Sequence, residues 1–328
     1  MELVCPAGNP AALRAAVEAG ADAAYVGFRD ETNARNFPGL NFSPDELRDG
    51  IRLAHDGGCR VYVAINTFPR AGAEKIWQRA VATAVDLGAD AVILADIGLL
   101  AYSARRFPKL RIHLSVQAGA SHAASIDFYA EAFGVRRVVL PRMLTVADIA
   151  ALNRTIAVET ETFAYSVMCP MAEGRCALSG YVTGESANAA GVCSPTSQVR
   201  YERDGDDVVT RLGGSIINRF GPDETAGYPT LCKGRFIANG EATYLFEEPA
   251  SLNTAAFLAE LKAAGVTALK IEGRQRGRAY IASVVASFRT LLDALERGRD
   301  VPADAVQSLD RTAEGRRLSA GAYERRWR

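Results

Sequence analysis

The first 160 residues repeat one pattern, in which a short apolar run is followed by a turn and then by apolar residues three and four apart. Short apolar runs are typical of buried strands, and the wider spacing is typical of amphipathic helices. The pattern predicts seven strands, at residues 2–5, 23–26, 60–65, 91–95, 111–116, 137–140 and 156–163. It predicts helices between them at residues 10–19, 44–56, 74–87, 97–107, 123–133 and 146–153.

Local signals mark where these helices begin and end. Ser43, Pro44 and the acids that follow them place a capping hydroxyl, a first-turn proline and negative charge at a helix start. Similar phrases at residues 18–22 and 86–90 put a glycine between a helix and the next strand. The repeated strand–helix order favours a parallel sheet.

After residue 163 the pattern gives way to a segment rich in glycine and cysteine. Two alternating runs, 198–203 and 207–212, flank Asp204 and Gly205, and this arrangement predicts a hairpin. The earlier pattern then returns with a helix at 254–264, a strand at 268–271 and a helix at 280–297.

Eight strand–helix units predict an α/β fold, a (β/α)8 TIM-like barrel with a cysteine-bearing insertion after strand seven. The barrel would comprise residues 1–163 and 250–297, and the inserted cluster-binding segment residues 164–249. Residues 298–328 would form a C-terminal extension. An open, doubly wound sheet is the alternative, because counting strands does not prove closure.

Charge and composition narrow the classes of partner. The chain has 38 Lys and Arg residues against 38 Asp and Glu residues, so no overall field attracts it to nucleic acid or to an anionic membrane. It has no apolar run of the roughly 20 residues that span a bilayer and no signal-peptide pattern. We therefore expect a cytoplasmic protein whose cysteines bind metal or pack in the core rather than form disulfides.

Four of the six cysteines fall in the irregular segment, at positions Cys169, Cys176, Cys193 and Cys232. Thiolates in fours select zinc or an iron-sulfur cluster. Structural zinc sites usually contain cysteine pairs two to four residues apart, and this chain has none. The spacing therefore favours a cluster, with zinc and structural thiols as the alternatives. Cys5 and Cys59 lie elsewhere and are expected to be buried apolar thiols.

Polar residues near the predicted C-terminal ends of strands are candidates for substrate binding, because catalytic groups of such barrels lie at that face. Arg274 and Arg276, with Arg278 nearby, suit a carboxylate or phosphate ligand. Ordinary ion pairs, loop caps and a hydrogen-bonded barrel histidine are the alternative interpretations. The full set of substrate-binding candidates is Asn66, His113, Gln117, Glu272, Arg274 and Arg276. No catalytic residue is assigned.

Motifs throughout the chain resemble the collagenase-like peptidase family of unassigned mechanism. They are Pro6 to Asn9, Glu161 with Phe163, Cys169 to Ser179, Cys232 to Arg235 and Lys270 to Arg274. The resemblance implies a 4Fe-4S cluster on the four grouped cysteines. Peptidase activity itself is not expected, because a cysteine peptidase needs one activated thiolate with a positioned histidine, and the chain has only His55, His113 and His122.

Three further stretches, 174–176, 181–188 and 248–253, resemble the branch of this family that acts in ubiquinone biosynthesis. That resemblance implies an oxygen-independent hydroxylation subunit that forms a heterodimer with a homologous second subunit. It also implies a quinone precursor as substrate and prephenate as oxygen donor. An RNA-modifying hydroxylase of the same family, acting on tRNA or rRNA, is the alternative, and the balanced charge favours the first.

Overall fold

The structure is a computed structural model, and it describes residues 1–169, 171 and 176–324. Its strands, in chain order, are β1 Glu2–Pro6, β2 Ala23–Val26, β3 Arg60–Ile65, β4 Ala91–Leu94, β5 Ile112–Leu114, β6 Val135–Val139, β7 Glu159–Val167, β8 Val199–Asp204, β9 Asp207–Leu212, β10 Ser215–Phe220, β11 Arg235–Ala238, β12 Glu241–Tyr244, β13 Ser251–Asn253, β14 Ala268–Ile271 and β15 Leu318–Ser319.

The α-helices, in chain order, are α1 Pro10–Glu18, α2 Pro44–Asp56, α3 Glu74–Asp86, α4 Ile97–Arg106, α5 Ala123–Phe133, α6 Val146–Asn153, α7 Ala177–Thr183, α8 Ala187–Ala190, α9 Leu258–Ala263, α10 Arg278–Glu296 and α11 Ala303–Thr312. Short 3₁₀ turns lie between these elements, among them Val116–Ala118 after β5 and Leu231–Lys233 before β11.

Strands β1 to β7 and β14 form a closed parallel barrel. Each of the first seven strands pairs in parallel with the next, and β14 pairs with both β7 and β1. The predicted (β/α)8 barrel is confirmed, and closure through β14 excludes the open sheet.

Side-chain caps set several helix starts as the sequence indicates. Ser43 and Glu46 form a reciprocal capping box at the start of α2, with Pro44 in the first turn. Asn9 caps α1 and Thr145 caps α6. The side-chain oxygen of each accepts a hydrogen bond from a backbone N–H of the first turn. These caps hold the helices against the outer face of the barrel, where a continuous apolar core separates the two layers.

Strand β7 lies further along the chain than predicted. It was expected at residues 156–163 and is found at Glu159–Val167. Ile156 belongs to the turn that closes α6, since its N–H donates to the Leu152 carbonyl. At its other end β7 gains an antiparallel partner, because Ser251 pairs with Val167. This nonlocal pairing has no signature in the sequence of β7 itself.

Between β7 and β14, the described chain forms α7, α8, a three-stranded antiparallel sheet of β8 to β10 and the hairpin of β11 and β12. The hairpin predicted around Asp204 and Gly205 is confirmed as β8 and β9. Strand β13 then returns the chain to the barrel beside β7. The remaining small strands were not predicted.

The described part of the C-terminal extension packs onto the barrel. Helix α11 lies against α10, and β15 pairs with β13. The Tyr323 hydroxyl donates to the carbonyl of Phe163 in β7, 160 residues away along the chain. Within the described residues, no helix has the length and apolar character needed to cross a membrane.

Candidate functional site

A cavity of about 160 Å³ opens at the C-terminal ends of the barrel strands. Four buried side chains from four strands contribute its apolar lining: Ala64, Ile93, Val139 and Phe163. A comparable volume of roughly 150 Å³ accommodates benzene in an engineered protein cavity. The cavity is therefore large enough for one six-membered ring.

Glu272, at the end of β14, lies between two arginines on one side of the cavity. Arg35 contacts one of its carboxylate oxygens at 2.8 Å, and Arg142 contacts the other at 2.5 Å. Burial alone would raise the pKa of Glu272, but Arg142 and Arg35 outweigh that effect and hold it below its ordinary value. Glu272 thus orients two guanidinium groups, and it is an ionised carboxylate at neutral pH.

Arg274 lines the cavity but is occupied by the protein. Its guanidinium donates to the side-chain oxygen of Asn33 and to the carbonyl of Ala34. Burial lowers its pKa to about 10. Gly8 packs directly on the Arg274 backbone, where a Cβ would overlap the carbonyl oxygen. These contacts join the loop after β2 to the end of β14, and they engage the guanidinium that was expected to bind substrate.

Arg276 lies at the rim of the cavity with its guanidinium 5.4 Å from the ring centroid of Tyr280. Its side chain is exposed, and among the described residues it forms no ion pair. Arg278 begins α10 and is also exposed. Of the arginines near β14, Arg276 is the one whose placement suits an anionic ligand.

Asn66 and Gln117 both line the cavity, as expected. The Asn66 side chain accepts a hydrogen bond from the Ala34 N–H at 3.0 Å and donates to Ser115 Oγ at 3.2 Å. The same Ser115 oxygen accepts from the Gln117 N–H. Asn66 therefore shapes the wall of the cavity, and its amide is already engaged by the protein.

His113 was a candidate for substrate binding, with a hydrogen-bonded barrel histidine as the alternative, and it does not line the cavity. It lies inside the barrel, fully buried, with its ring centroid 4.7 Å from that of Tyr62. Arg111 Nε donates to His113 Nε2 at 3.0 Å. Burial, and after it the charge of Arg137, lowers the pKa of His113 well below its ordinary value. The residue is a neutral, hydrogen-bonded barrel histidine.

Beneath the cavity, the barrel interior holds a network of charged groups. Arg137 is 3% exposed and contacts Glu2 at 2.8 Å, Glu159 at 2.7 Å and Glu161 at 3.3 Å. Lys270 contacts the fully buried Glu161 at 2.7 Å. The family motif residues Glu161 and Lys270 are thus partners, and their charges are compensated below the apolar lining.

The four grouped cysteines are each partly exposed, and three of them line the cavity: Cys169, Cys176 and Cys193. Cys169 lies two residues after the end of β7, and Cys176 caps α7 by accepting a hydrogen bond from the Ser179 N–H. The Ser179 hydroxyl donates to the Cys193 carbonyl. Residues 170 and 172–175, between the first two cysteines, lie outside the described residues.

Cys232 lies in the 3₁₀ turn Leu231–Lys233, beside the other thiols. Burial, and after it the charges of Cys169 and Cys193, raises the pKa of Cys232 to about 12. Burial and the charge of Cys193 also raise the pKa of Cys176. Each of the four thiols is therefore linked electrostatically to another of the set, in one region above the cavity.

The described residues contain no group of three or more His, Cys, Asp or Glu side chains arranged to hold a single metal ion. A zinc ion needs its four ligands drawn to one point. In a cubane cluster each thiolate binds a different iron, so the four sulfurs surround the cube rather than meet at one centre. Four cysteine sulfurs in one region are soft donors of the kind that both zinc and an iron-sulfur cluster take.

The other two cysteines are buried, as expected. Cys5 is fully buried in β1, and Cys59 is 1% exposed just before β3. Burial raises the pKa of Cys5 well above its ordinary value and that of Cys59 to about 12. Neither lines the cavity, and both are inert core thiols.

Sequence reasoning missed two charged residues that line the cavity, Arg35 and Arg142, and it named Lys270 only as part of a family motif. The signal for Arg142 was present, because it follows the end of β6 at the face where barrels carry their chemistry. Arg35 carried no such signal. It lies within the long loop between β2 and α2 and reaches Glu272 only through the tertiary fold.

The chain was compared with known protein families, and the model of peptidase family U32 matches residues 8–326. That match spans nearly the whole chain. The protein belongs to peptidase family U32. Within the part of this U32 chain that the structure describes, none of the three histidines lines the cavity. His55 pairs with Asp90 at 2.8 Å, and His122 caps α5.

Among similar proteins, tRNA hydroxylation protein P of Escherichia coli is 32% identical over 333 residues, which cover 94% of this chain and 71% of that protein. The 23S rRNA 5-hydroxycytidine synthase of Escherichia coli is 28% identical over 304 residues, covering 91% of this chain and 40% of that protein. A solved U32 peptidase structure has a TM-score of 0.43 and 19% identity, and covers 51% of this chain and 70% of that one.

Proposed function

We propose that this U32 protein is a subunit of a hydroxylation system that adds oxygen to a six-membered ring bound at the mouth of the barrel. The observation that carries the proposal is the ring-sized apolar cavity beneath the grouped cysteines. The names of two relatives support it, since both refer to hydroxylation of RNA. Pyrimidines and phenols share the six-membered ring that such a cavity accepts.

The cofactor of the proposal is a 4Fe-4S cluster held by Cys169, Cys176, Cys193 and Cys232. Four soft donors in one region, three of which line the cavity, support this assignment. Such a cluster supplies electron transfer beside the ring. The chain's own groups supply the rest, because Phe163 and its apolar neighbours exclude water and Arg276 binds an anionic group of a ligand.

We further propose that the ring belongs to a ubiquinone precursor and that the protein corresponds to UbiU, the oxygen-independent hydroxylation protein. The motifs at residues 174–176, 181–188 and 248–253 support this choice, as does the balance of 38 basic and 38 acidic residues. The proposal includes a heterodimer with a UbiV-like homologous subunit. It takes prephenate as oxygen donor, with Arg276 as the group that suits a carboxylate.

A pyrimidine in tRNA or rRNA is the second candidate substrate, and the names of the relatives favour it. It would make nucleic acid a partner, in contrast with the expectation from the charge balance. The two candidates share the cluster and the cavity, and they differ in which cellular molecule lacks a hydroxyl group when the protein is absent.

Deletion of the gene in its own host, followed by growth without oxygen, tests both candidates at once. Mass spectrometry of quinones is expected to show less ubiquinone and more of its unhydroxylated precursors, while hydroxylated nucleosides of tRNA and rRNA remain normal. Normal anaerobic ubiquinone, or equal loss in air, contradicts the ubiquinone proposal. Loss of a hydroxylated pyrimidine instead supports the second candidate.

Complementation of the deletion strain tests the roles of individual residues. Cys176→Ala is expected to fail because the cluster lacks a ligand. Arg276→Met is expected to reduce ubiquinone while the purified variant keeps its iron. Arg105→Met is a matched control, since Arg105 is an exposed arginine in the last turn of α4. It is expected to restore ubiquinone fully.

A further inference from the structure

Gln117 carries a buried polar group that the described protein leaves without a partner. Its side-chain oxygen accepts no hydrogen bond from a described residue, although Gln117 is only 8% exposed. The 3₁₀ turn Val116–Ala118 holds it after β5, and its own N–H donates to Ser115 Oγ at 3.3 Å. Burying an oxygen without a donor costs free energy, so an oxygen of this kind in a cavity indicates a ligand that brings the donor.

The neighbouring polar groups of the cavity are already engaged. Asn66 bonds to Ala34 and Ser115, and Glu272 accepts from two arginines. Lys270 is paired with Glu161. Among the buried side-chain N and O atoms that line the cavity in the described part of the chain, the Gln117 oxygen is the one without a hydrogen-bond partner.

We propose that Gln117 selects and orients the ring by accepting a hydrogen bond from a ring hydroxyl, so that the site takes phenols in preference to rings without a donor. This inference rests on the proposed function, because it takes the ligand to be a six-membered ring. The apolar lining of Ile93, Val139 and Phe163 holds a ring without fixing its rotation. A single acceptor on the β5 side fixes which edge of the ring faces that wall.

Phenol and fluorobenzene test this inference as binding probes. Fluorine is close in size to a hydroxyl group and donates no hydrogen bond. Calorimetric titration of the anaerobically purified full chain is expected to show phenol binding about tenfold more tightly than fluorobenzene, because fluorobenzene leaves the buried oxygen unpaired. Gln117→Met, which removes the carboxamide at similar volume, is expected to abolish that difference by weakening phenol alone.

Gln307→Met is the matched control, since Gln307 is exposed on α11. It is expected to keep the preference for phenol. Equal affinity for the two probes in the unaltered protein, or no binding of phenol, overturns the inference. So does a preference that survives in Gln117→Met. Should Gln117→Met not fold, the two probes on the unaltered protein decide alone.

This binding test separates the inference from the proposed function. Selective phenol binding with normal anaerobic ubiquinone in the deletion strain would retain the role of Gln117 and reject the quinone pathway. Loss of ubiquinone in that strain, with no preference for phenol over fluorobenzene, would retain the pathway and reject the role of Gln117.

Discussion

Arg35 and Glu272 form a 2.8 Å ion pair that joins the loop after β2 to the end of β14, across 237 residues of sequence. Arg35 adopts a φ of 80°, an uncommon conformation for a residue with a side chain. Its backbone N–H donates to the Gly191 carbonyl at 3.2 Å. One residue thus connects the barrel, the cavity and the cysteine segment, and these contacts offset its backbone strain.

The ion pair of Arg142 with Glu272 is expected to stabilise the fold in a pH-dependent manner. Arg142→Met should lower the free energy of unfolding by roughly 2 kcal/mol at neutral pH, because Glu272 keeps only Arg35. The two arginines lower the folded-state pKa of Glu272, so its contribution is present at neutral pH and is lost as the pH falls through that pKa. Urea unfolding between about pH 2 and pH 7 measures it, because an ordinary Glu titrates near pH 4 and the folded-state pKa of Glu272 lies lower.

In Arg142→Met the pKa of Glu272 rises, so stability should begin to fall at a higher pH than in the unaltered protein. Arg105→Met, at an exposed position on α4, is the control and should leave the pH profile unchanged. A variant whose stability matches the unaltered protein throughout this pH range would contradict the assignment of Glu272 as an ionised, paired group.

Much of the fold followed from local sequence. The apolar runs located β2, β3 and β14 at their observed bounds, and the capping residues located α2. The extension of β7 to Val167 was missed because it depends on pairing with β13, far along the chain. Strand pairing of this kind is a tertiary property, so spacing within one segment does not reveal it.

In the candidate site too, local sequence located some residues and missed contacts that depend on the tertiary fold. The residues that line the cavity after β3 and β5, Asn66 and Gln117, were found by their position at strand ends. The hydrogen bonds of Arg274 were not predicted, because its partners Asn33 and Ala34 come from a loop about 240 residues earlier. The sequence left two interpretations of His113 open, because a single strand does not reveal how deep in the barrel a side chain lies.

The cysteine assignment predicts different results for a grouped and a buried thiol. Cys232→Ser should largely abolish the iron and sulfide content of anaerobically purified protein, since one of four cluster ligands is lost. Cys59→Ser is the control, because Cys59 is buried away from the cavity. It should retain about four irons per chain. Stoichiometric zinc in a colourless protein would reject the cluster.

Alanine substitutions at two glycines of the cysteine segment distinguish the effect of backbone strain from the effect of close packing. Gly191 and Gly184 have φ values of 80° and 71°, so alanine at either position costs roughly 1 kcal/mol in backbone strain. Only at Gly191 would the added Cβ meet a neighbour, at 3.0 Å from the Asn33 carbonyl oxygen. Gly191→Ala should therefore lose more iron than Gly184→Ala under mild urea, and equal loss would show that this packing does not hold the cluster segment.

The charge network inside the barrel predicts the largest loss of stability. Arg137 is 3% exposed and contacts three carboxylates, of which Glu161 is fully buried. Removing one partner of a buried ion pair leaves a charge without compensation, which costs about 3–5 kcal/mol. Arg137→Met should therefore unfold at much lower urea concentration than the unaltered protein, and its melting temperature should fall accordingly.

Arg136 supplies the matched control for Arg137, because it is the preceding residue of β6 and points to the opposite face of the sheet, where it is exposed. Arg136→Met removes the same charge from the same strand and should change stability by less than about 0.5 kcal/mol. Equal stability of the two variants would mean that Lys270 alone compensates Glu161.

Since the network lies beneath the cavity, an Arg137→Met chain that still folds should bind phenol more weakly as the apolar lining loses its support, whereas Arg136→Met should bind it normally.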